Sequence, residues 1–90
     1  MEELFEVLEG TQSIVTLKIE AFGFSMMQNV RVGSARRFGD GMEFYTDNES
    51  SFFISSVTSE IVTEDHDDMF DVYVIQTVSK AVITIVIDRW

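Results

Sequence analysis

Apolar and polar residues alternate without interruption from Val15 to Ala21, within the segment SIVTLKIEA (residues 13–21). Successive side chains of a β-strand point to opposite faces, so this period of two predicts a strand with one buried face. A strand of this kind is stable only beside other strands. The chain is therefore expected to build a sheet.

Five later segments have the composition or the alternation of strands: QNVRVGSARRF (28–38), MEFYT (42–46), SFFISSVTSEIVT (51–63), MFDVYVIQTV (69–78) and AVITIVIDRW (81–90). In the third of these, Phe53, Val57 and Ile61 alternate with serine and threonine, which favours one long, bent strand. A helix over residues 52–61 is the alternative, although serine, threonine and valine are poor helix formers.

Asp40-Gly41, between RRFG and MEFYT, predicts a tight hairpin. A type I′ turn needs positive φ, which aspartate tolerates and glycine favours. Met42 and Phe44 should then face the core, and the residues between and after them should face solvent.

Two other patterns in the predicted strands indicate where a strand bends and which strands are covered. Val30, Val32 and Phe38 all have even residue numbers, so their side chains would share one face of a regular strand. Gly33, between Val32 and Phe38, indicates a bulge or bend. The last two segments are apolar on both faces over part of their length. We therefore expect central strands that are covered on both sides, or strands of a barrel wall with a second layer over it.

The first ten residues permit two structures. Leu4, Val7 and Leu8 have helical spacing, acids crowd the first turn, and Gly10 can end a helix. Alternatively the segment is a strand with Phe5 and Val7 inward. The acidic first turn favours the helix.

These patterns predict a mainly β fold for one acidic domain spanning residues 1–90. The expected architecture is a small barrel or two-layer sandwich of five to six mostly antiparallel strands, with a short N-terminal helix. A chain of 90 residues can bury about 60 to 65% of its unfolded surface, enough for one core.

Sixteen acidic residues stand against six basic ones, a net charge of −10. This field repels nucleic acid and anionic membranes and attracts basic protein surfaces. The chain has no cysteine, so it has no disulfide or thiolate metal site, and a cytoplasmic location is expected. The acidic N-terminus does not resemble a signal peptide, and no apolar run is long enough for a membrane span.

TEDHDDMFDVYVIQTV (63–78) sets an acidic cluster and the one histidine, His66, before an apolar run. The spacing does not fit a calcium loop, and one histidine does not make a transition-metal site, so we predict no metal and no cofactor. The cluster is expected to form a solvated turn that discourages edge-to-edge pairing, or to contact a partner. The predicted contact residues are Glu60, Glu64, Asp65, Asp67, Asp68 and Asp71.

Two further acidic strips accompany that cluster, one formed by Glu2, Glu3, Glu6 and Glu9 and the other by Asp40, Glu43, Asp47 and Glu49. If the strips converge, they would mimic the charge of nucleic acid. Arg36-Arg37 is expected to pair with nearby carboxylates, or else with acids of a second copy or a partner.

The segment FGFSMM (22–27) breaks the parity of the strand before it. Either a bulge near Gly23 returns its apolar side chains to the core, or they form an exposed stripe. A stripe made of Phe22, Phe24, Met26 and Met27 would serve self-association, giving a homodimer.

The sequence thus favours a non-enzymatic protein that binds a basic partner, most specifically an inhibitor occupying the nucleic-acid groove of a nuclease or DNA-binding enzyme. Phage-encoded antagonists of bacterial defence, including anti-CRISPR proteins, and toxin-immunity proteins act in this way. The alternative is an assembly protein that oligomerises through its sheet edges and the FGFSMM stripe. Catalysis is not expected, because no triad, phosphate loop or substrate cleft is indicated.

Overall fold

A computed structural model describes residues 1–10 and 14–88 as one helix and seven strands. The elements are α1 (Glu2–Gly10), β1 (Ile14–Ala21), β2 (Phe24–Phe38), β3 (Gly41–Thr46), β4 (Ser51–Ser55), β5 (Ser59–His66), β6 (Phe70–Thr77) and β7 (Val82–Asp88). Ser13, Arg89 and Trp90, which belong to predicted strands, lie outside the described residues. The mainly β class and the N-terminal helix are confirmed.

All seven strands form one antiparallel sheet in the order β4-β3-β2-β1-β7-β6-β5. The predicted barrel or sandwich of five to six strands is therefore corrected to a single unclosed sheet. The additional strand arises because the predicted long strand 51–63 is interrupted at residues 56–58, and its two halves pair with different neighbours.

The two edge strands, β4 and β5, are consecutive in the chain and are joined only by residues 56–58. The sheet must therefore curl until its edges approach each other at this end. The backbone N–H of Ser56 donates to the carbonyl of Asp40 at 2.9 Å, and that of Val78 donates to the carbonyl of Thr58 at 2.9 Å. The linker thereby joins the β2–β3 turn to the β6–β7 turn.

The core fills the inside of the curled sheet. Its buried side chains include Val15, Tyr73 and Ile85 from the strands, together with Leu4, Phe5 and Leu8 from α1. Burial of this stripe explains why residues 2–10 are helical, since an amphipathic segment this short is not stable alone. The predicted inward positions of Met42 and Phe44 are confirmed, because both are fully buried.

The Asp40-Gly41 hairpin forms, but its turn lies one residue earlier than predicted. Phe38 pairs with Gly41, and the two turn residues are Gly39 and Asp40. Gly39 has a φ of 61° and Asp40 has a negative φ, as in a type II′ turn and not a type I′ turn. Gly41 is needed for another reason: a Cβ there would lie 2.2 Å from the carbonyl oxygen of Ile54.

The bulge expected near Gly33 is present, between Val32 and Ser34 of β2. The bulge shifts the alternation by one residue, so side chains that would share a face in a regular strand point to opposite faces on its two sides. Val30 and Val32 are therefore buried, while Phe38 is 61% exposed. The ladder between β2 and β3 begins only at Val32. Among the described strands, the first half of β2 therefore pairs with β1 alone.

Within residues 1–10 and 14–88, no helix combines the length and the apolar character that crossing a bilayer requires.

Candidate functional site

The predicted acidic turn is for the most part an edge strand. Glu60, Glu64 and Asp65 lie on β5, Asp71 lies on β6, and only residues 67–69 form the turn. His66, which the sequence places in the solvated turn, is exposed as expected but lies at the end of β5, where it pairs with Asp71 in the β5–β6 ladder. The charges on β5 and its bulge between Ile61 and Thr63 are features that protect an exposed sheet edge from pairing.

The β5 acids point to both faces of the sheet. Residues directly opposite each other in an antiparallel pair share a face. Glu64 is opposite Tyr73, whose side chain is buried in the core, so Glu64 lies on the face that α1 covers. Asp65 is opposite Val72 and lies on the outer face. The acids therefore follow one edge of the sheet and are accessible from either side of it.

Asp67 holds the β5–β6 turn in place. Its carboxylate accepts hydrogen bonds from the backbone N–H groups of Met69, at 2.8 Å, and Phe70, at 2.7 Å. Its own N–H donates to the carbonyl of Phe70 at 3.0 Å. Asp67, which is exposed like Asp68 in the same turn, therefore has a structural role in addition to its predicted contact role.

His66 is the cation within this cluster when it is protonated. Its Nδ1 lies 2.6 Å from the Asp71 carboxylate, and its Nε2 lies 3.6 Å from the Glu64 carboxylate. The hydrogen bond to Asp71, strengthened by the charges of Asp71 and Glu64, raises the pKa of His66 above its ordinary value. The imidazole also packs edge-on against Tyr73, with 5.6 Å between the ring centroids.

The helix brings Glu3, one residue of the second acidic strip, to the same place. Ligand atoms of Glu3, Glu64 and His66 all lie within 4.8 Å of one another. Two carboxylates and an imidazole are donors that a divalent metal can accept, but all three side chains are exposed, and exposed groups of this kind are common without an ion. The sequence singled out both strips, but it held no signal that Glu3 would meet Glu64.

An ion pair ties the first turn of α1 to β2. Both guanidinium nitrogens of Arg37 donate to the Glu2 carboxylate at 2.6 Å, and the guanidinium lies 5.3 Å from the centroid of the Phe5 ring. The hydrogen bonds from Arg37 lower the pKa of Glu2. The predicted pairing of Arg36-Arg37 with nearby carboxylates is confirmed, since Arg36 contacts Glu43 at 3.4 Å.

Members of the third strip are engaged locally around β2 and β3. Glu43 contacts Arg36 and accepts a hydrogen bond from the hydroxyl of Tyr45, which raises the pKa of Tyr45. The Asp47 carboxylate accepts a hydrogen bond from the backbone N–H of Arg31 at 3.2 Å. We therefore assign the candidate surface to α1 and β5 and leave these acids outside it.

The FGFSMM segment forms an exposed hairpin tip and not a core bulge. Phe22 and Gly23 are a two-residue turn with φ angles of 52° and 85°, and Ala21 pairs with Phe24. The turn reverses the chain, which explains the break in parity. The stripe is exposed as follows: Phe22 85%, Phe24 70%, Met26 50% and Met27 66%.

A pocket of about 280 Å³ lies beside this hairpin, between β1–β2 and the β3–β4 turn. Leu17, Ile19, Met26 and Phe52 supply its apolar lining. The apolar inner face of the sheet thus extends beyond the part that α1 covers, toward the hairpin tip.

In comparisons with known proteins, no family model, no curated protein and no solved structure matches this chain.

Proposed function

We propose that this protein is a non-enzymatic inhibitor that docks the acids of α1 and β5 on the basic nucleic-acid groove of a nuclease or another DNA-binding enzyme. The observation that carries the proposal is the approach of Glu3 to Glu64, which brings together one acid from each of two acidic strips that are distant in the sequence. A phage anti-defence protein or an immunity protein would use such a surface.

Three physical features support this choice of partner. The β5 part of the site lies on an edge strand of a seven-stranded sheet, so the backbone fixes the spacing of its acidic residues. Arginine and lysine side chains in a nucleic-acid groove are placed to meet closely spaced anionic oxygens. A net charge of −10 would also accelerate encounter with a basic protein through long-range attraction.

The six predicted contact residues differ in how cleanly they can test the proposal. Asp67 holds the turn and Asp71 bonds His66, so changing either would disturb the fold. Asp65 and Asp68 are exposed, and their reversal to lysine alters charge with less structural effect. Glu20→Lys with Glu49→Lys is the matched control, because both double variants change the net charge from −10 to −6 by two reversals of two units each.

The test is capture from a bacterial lysate on the immobilised protein, followed by elution with duplex DNA and identification of the eluted proteins. The proposal predicts that a nucleic-acid-processing enzyme elutes with DNA, that its capture falls steeply with added salt, and that Asp65→Lys/Asp68→Lys abolishes the capture. The control variant should retain it. Capture that is insensitive to salt, or equal loss in both variants, would contradict the proposal.

A second candidate function, assembly, is favoured by the exposed FGFSMM stripe and by the first half of β2, which pairs with no described strand other than β1. Residues 24–30 of that edge carry no charge, so two copies could pair there without like-charge repulsion. Light scattering should then show a dimer that is lost in Phe24→Asp/Met26→Asp and kept in Val57→Asp/Val78→Asp. A monomeric wild-type protein would exclude this function.

A further inference from the structure

The outer face of β6 and β7 is apolar, although it lies opposite the core. The ladder sets Val72 beside Val86 and Val74 beside Thr84, and all four side chains are half-buried. Phe70, at the end of this face, is 37% exposed. Antiparallel sheets with one solvated face normally place polar residues there, so these valines depart from the usual pattern.

No described element covers this face. α1 packs on the inner side, where Leu4, Phe5 and Leu8 join the core and the Phe5 ring lies 6.3 Å from that of Phe44. The sequence predicts a cover on both faces of these strands, and β6 and β7 are interior strands of the sheet. Residues 1–10 and 14–88 supply the cover for the inner face only.

Acids border the valines along β5 and at Asp88, whereas on the β1 side Lys18 is opposite Thr84 and Glu20 is opposite Val82. Asp65 is opposite Val72, and Asp88 is opposite Phe70, so both lie on the outer face. Glu60 is opposite Gln76 on the same face. The sequences of β5, β6 and β7 contain no lysine or arginine. The face is therefore an apolar centre whose rim is negative along β5 and at Asp88 and carries one charge of each sign along β1.

The charges around this face determine which kind of molecule can bind to it. A second copy would bring two mostly negative rims together, and nucleic acid or an anionic membrane would be repelled by the same carboxylates and by the net charge of −10. We infer that the outer face of β5–β7 is a docking surface for a protein element with aliphatic or aromatic side chains at its centre and lysine or arginine around them. The inference rests on the proposed function and adds an apolar contact to its electrostatic one.

The test uses two synthetic helical peptides with the same lysines, one with leucines on its other face and one with glutamines there. Binding is measured at about 0.05 M and about 0.5 M salt, where the screening length falls from above to below about 10 Å. NMR amide shifts locate the bound peptide. The protein is the full chain, as wild type, as Val72→Thr/Val86→Thr, and as the control Val57→Thr/Val78→Thr, whose valines are exposed in turns.

The inference predicts that only the leucine peptide keeps measurable affinity at high salt and that it shifts the amide signals of β6 and β7. Val72→Thr/Val86→Thr should weaken this binding about tenfold or more, and the control variant should not. Equal affinities for the two peptides, or leucine-peptide shifts confined to the inner face, would overturn the inference and leave the proposed function standing. If the glutamine peptide also failed to bind wild type at low salt, the proposed function would be contradicted as well. The comparison of peptides on wild type decides the matter even if the valine variant unfolds.

Discussion

The carboxylates of Glu3, in the first turn of α1, and Glu64, on edge strand β5, lie within 4.8 Å of each other and of the His66 imidazole. Two like charges this close repel each other, and a protonated His66 relieves that repulsion. A basic side chain of a partner would do the same. The relationship therefore links the stability of the protein to the proposed binding surface.

Replacing His66 with glutamine should remove a pH-dependent part of the stability. Folding raises the pKa of His66, so the folded state holds the proton more tightly than the unfolded state does. The contribution is fully present below the ordinary value of about 6.5 and is lost as pH rises through the raised value. Urea unfolding between about pH 6 and pH 9 should show this loss in wild type and a flatter profile in the variant. A parallel pH dependence in the two proteins would contradict the assigned role of His66.

Replacing Arg37 with glutamine should loosen α1 on the sheet. The change removes both hydrogen bonds to Glu2 and the stacking of the guanidinium on Phe5. Hydrogen exchange of the α1 amides should become faster. Arg36→Gln should leave them unchanged, because it removes the pair with Glu43 and the contact with the Phe38 ring, neither of which involves α1. Equal exchange rates in the two variants would mean that the ion pair does not anchor the helix.

Replacing Gly41 with alanine should destabilise the fold through steric overlap. The new Cβ would lie 2.2 Å from the Ile54 carbonyl oxygen and 2.6 Å from the ring of Phe53, so β3 and β4 would have to separate. We expect a loss of about 1–3 kcal/mol or more in the free energy of unfolding. Gly10→Ala is the control, since no described heavy atom lies within 4 Å of its Cβ position. A melting temperature of Gly41→Ala equal to that of wild type would show that a Cβ at residue 41 fits beside Ile54 without steric overlap.

The local alternation of apolar and polar residues predicts much of this fold. Alternation places Val15 and Leu17 in the core, and both are buried. The parity break at Phe22 was a harder case, because a two-residue hairpin and a bulge both disturb the period of two. Only the structure distinguishes them, since the choice depends on which strand lies alongside.

Long-range features were less accessible from the sequence. The predicted strand 51–63 is interrupted because its first half pairs with β3 and its second half pairs with β6. The secondary-structure propensities of residues 51–63 do not indicate which strands will pair with them. The contact of Glu3 with Glu64 depends likewise on how α1 crosses the curled sheet. The sequence shows the acidic cluster, but only the pairing of β5 with β6 shows that its side chains lie on two faces of the sheet.

The most direct measurement is the electrostatic potential near each backbone amide, obtained by NMR from relaxation caused by cationic and anionic paramagnetic cosolutes. We predict that the most negative potential lies along Glu60–Asp68 of β5 and its turn and over the first turn of α1. Asp65→Lys/Asp68→Lys should weaken the potential there, and Glu20→Lys/Glu49→Lys should not. A potential spread evenly over the molecule, or equal changes in the two variants, would contradict a concentrated acidic surface and with it the proposed inhibitor.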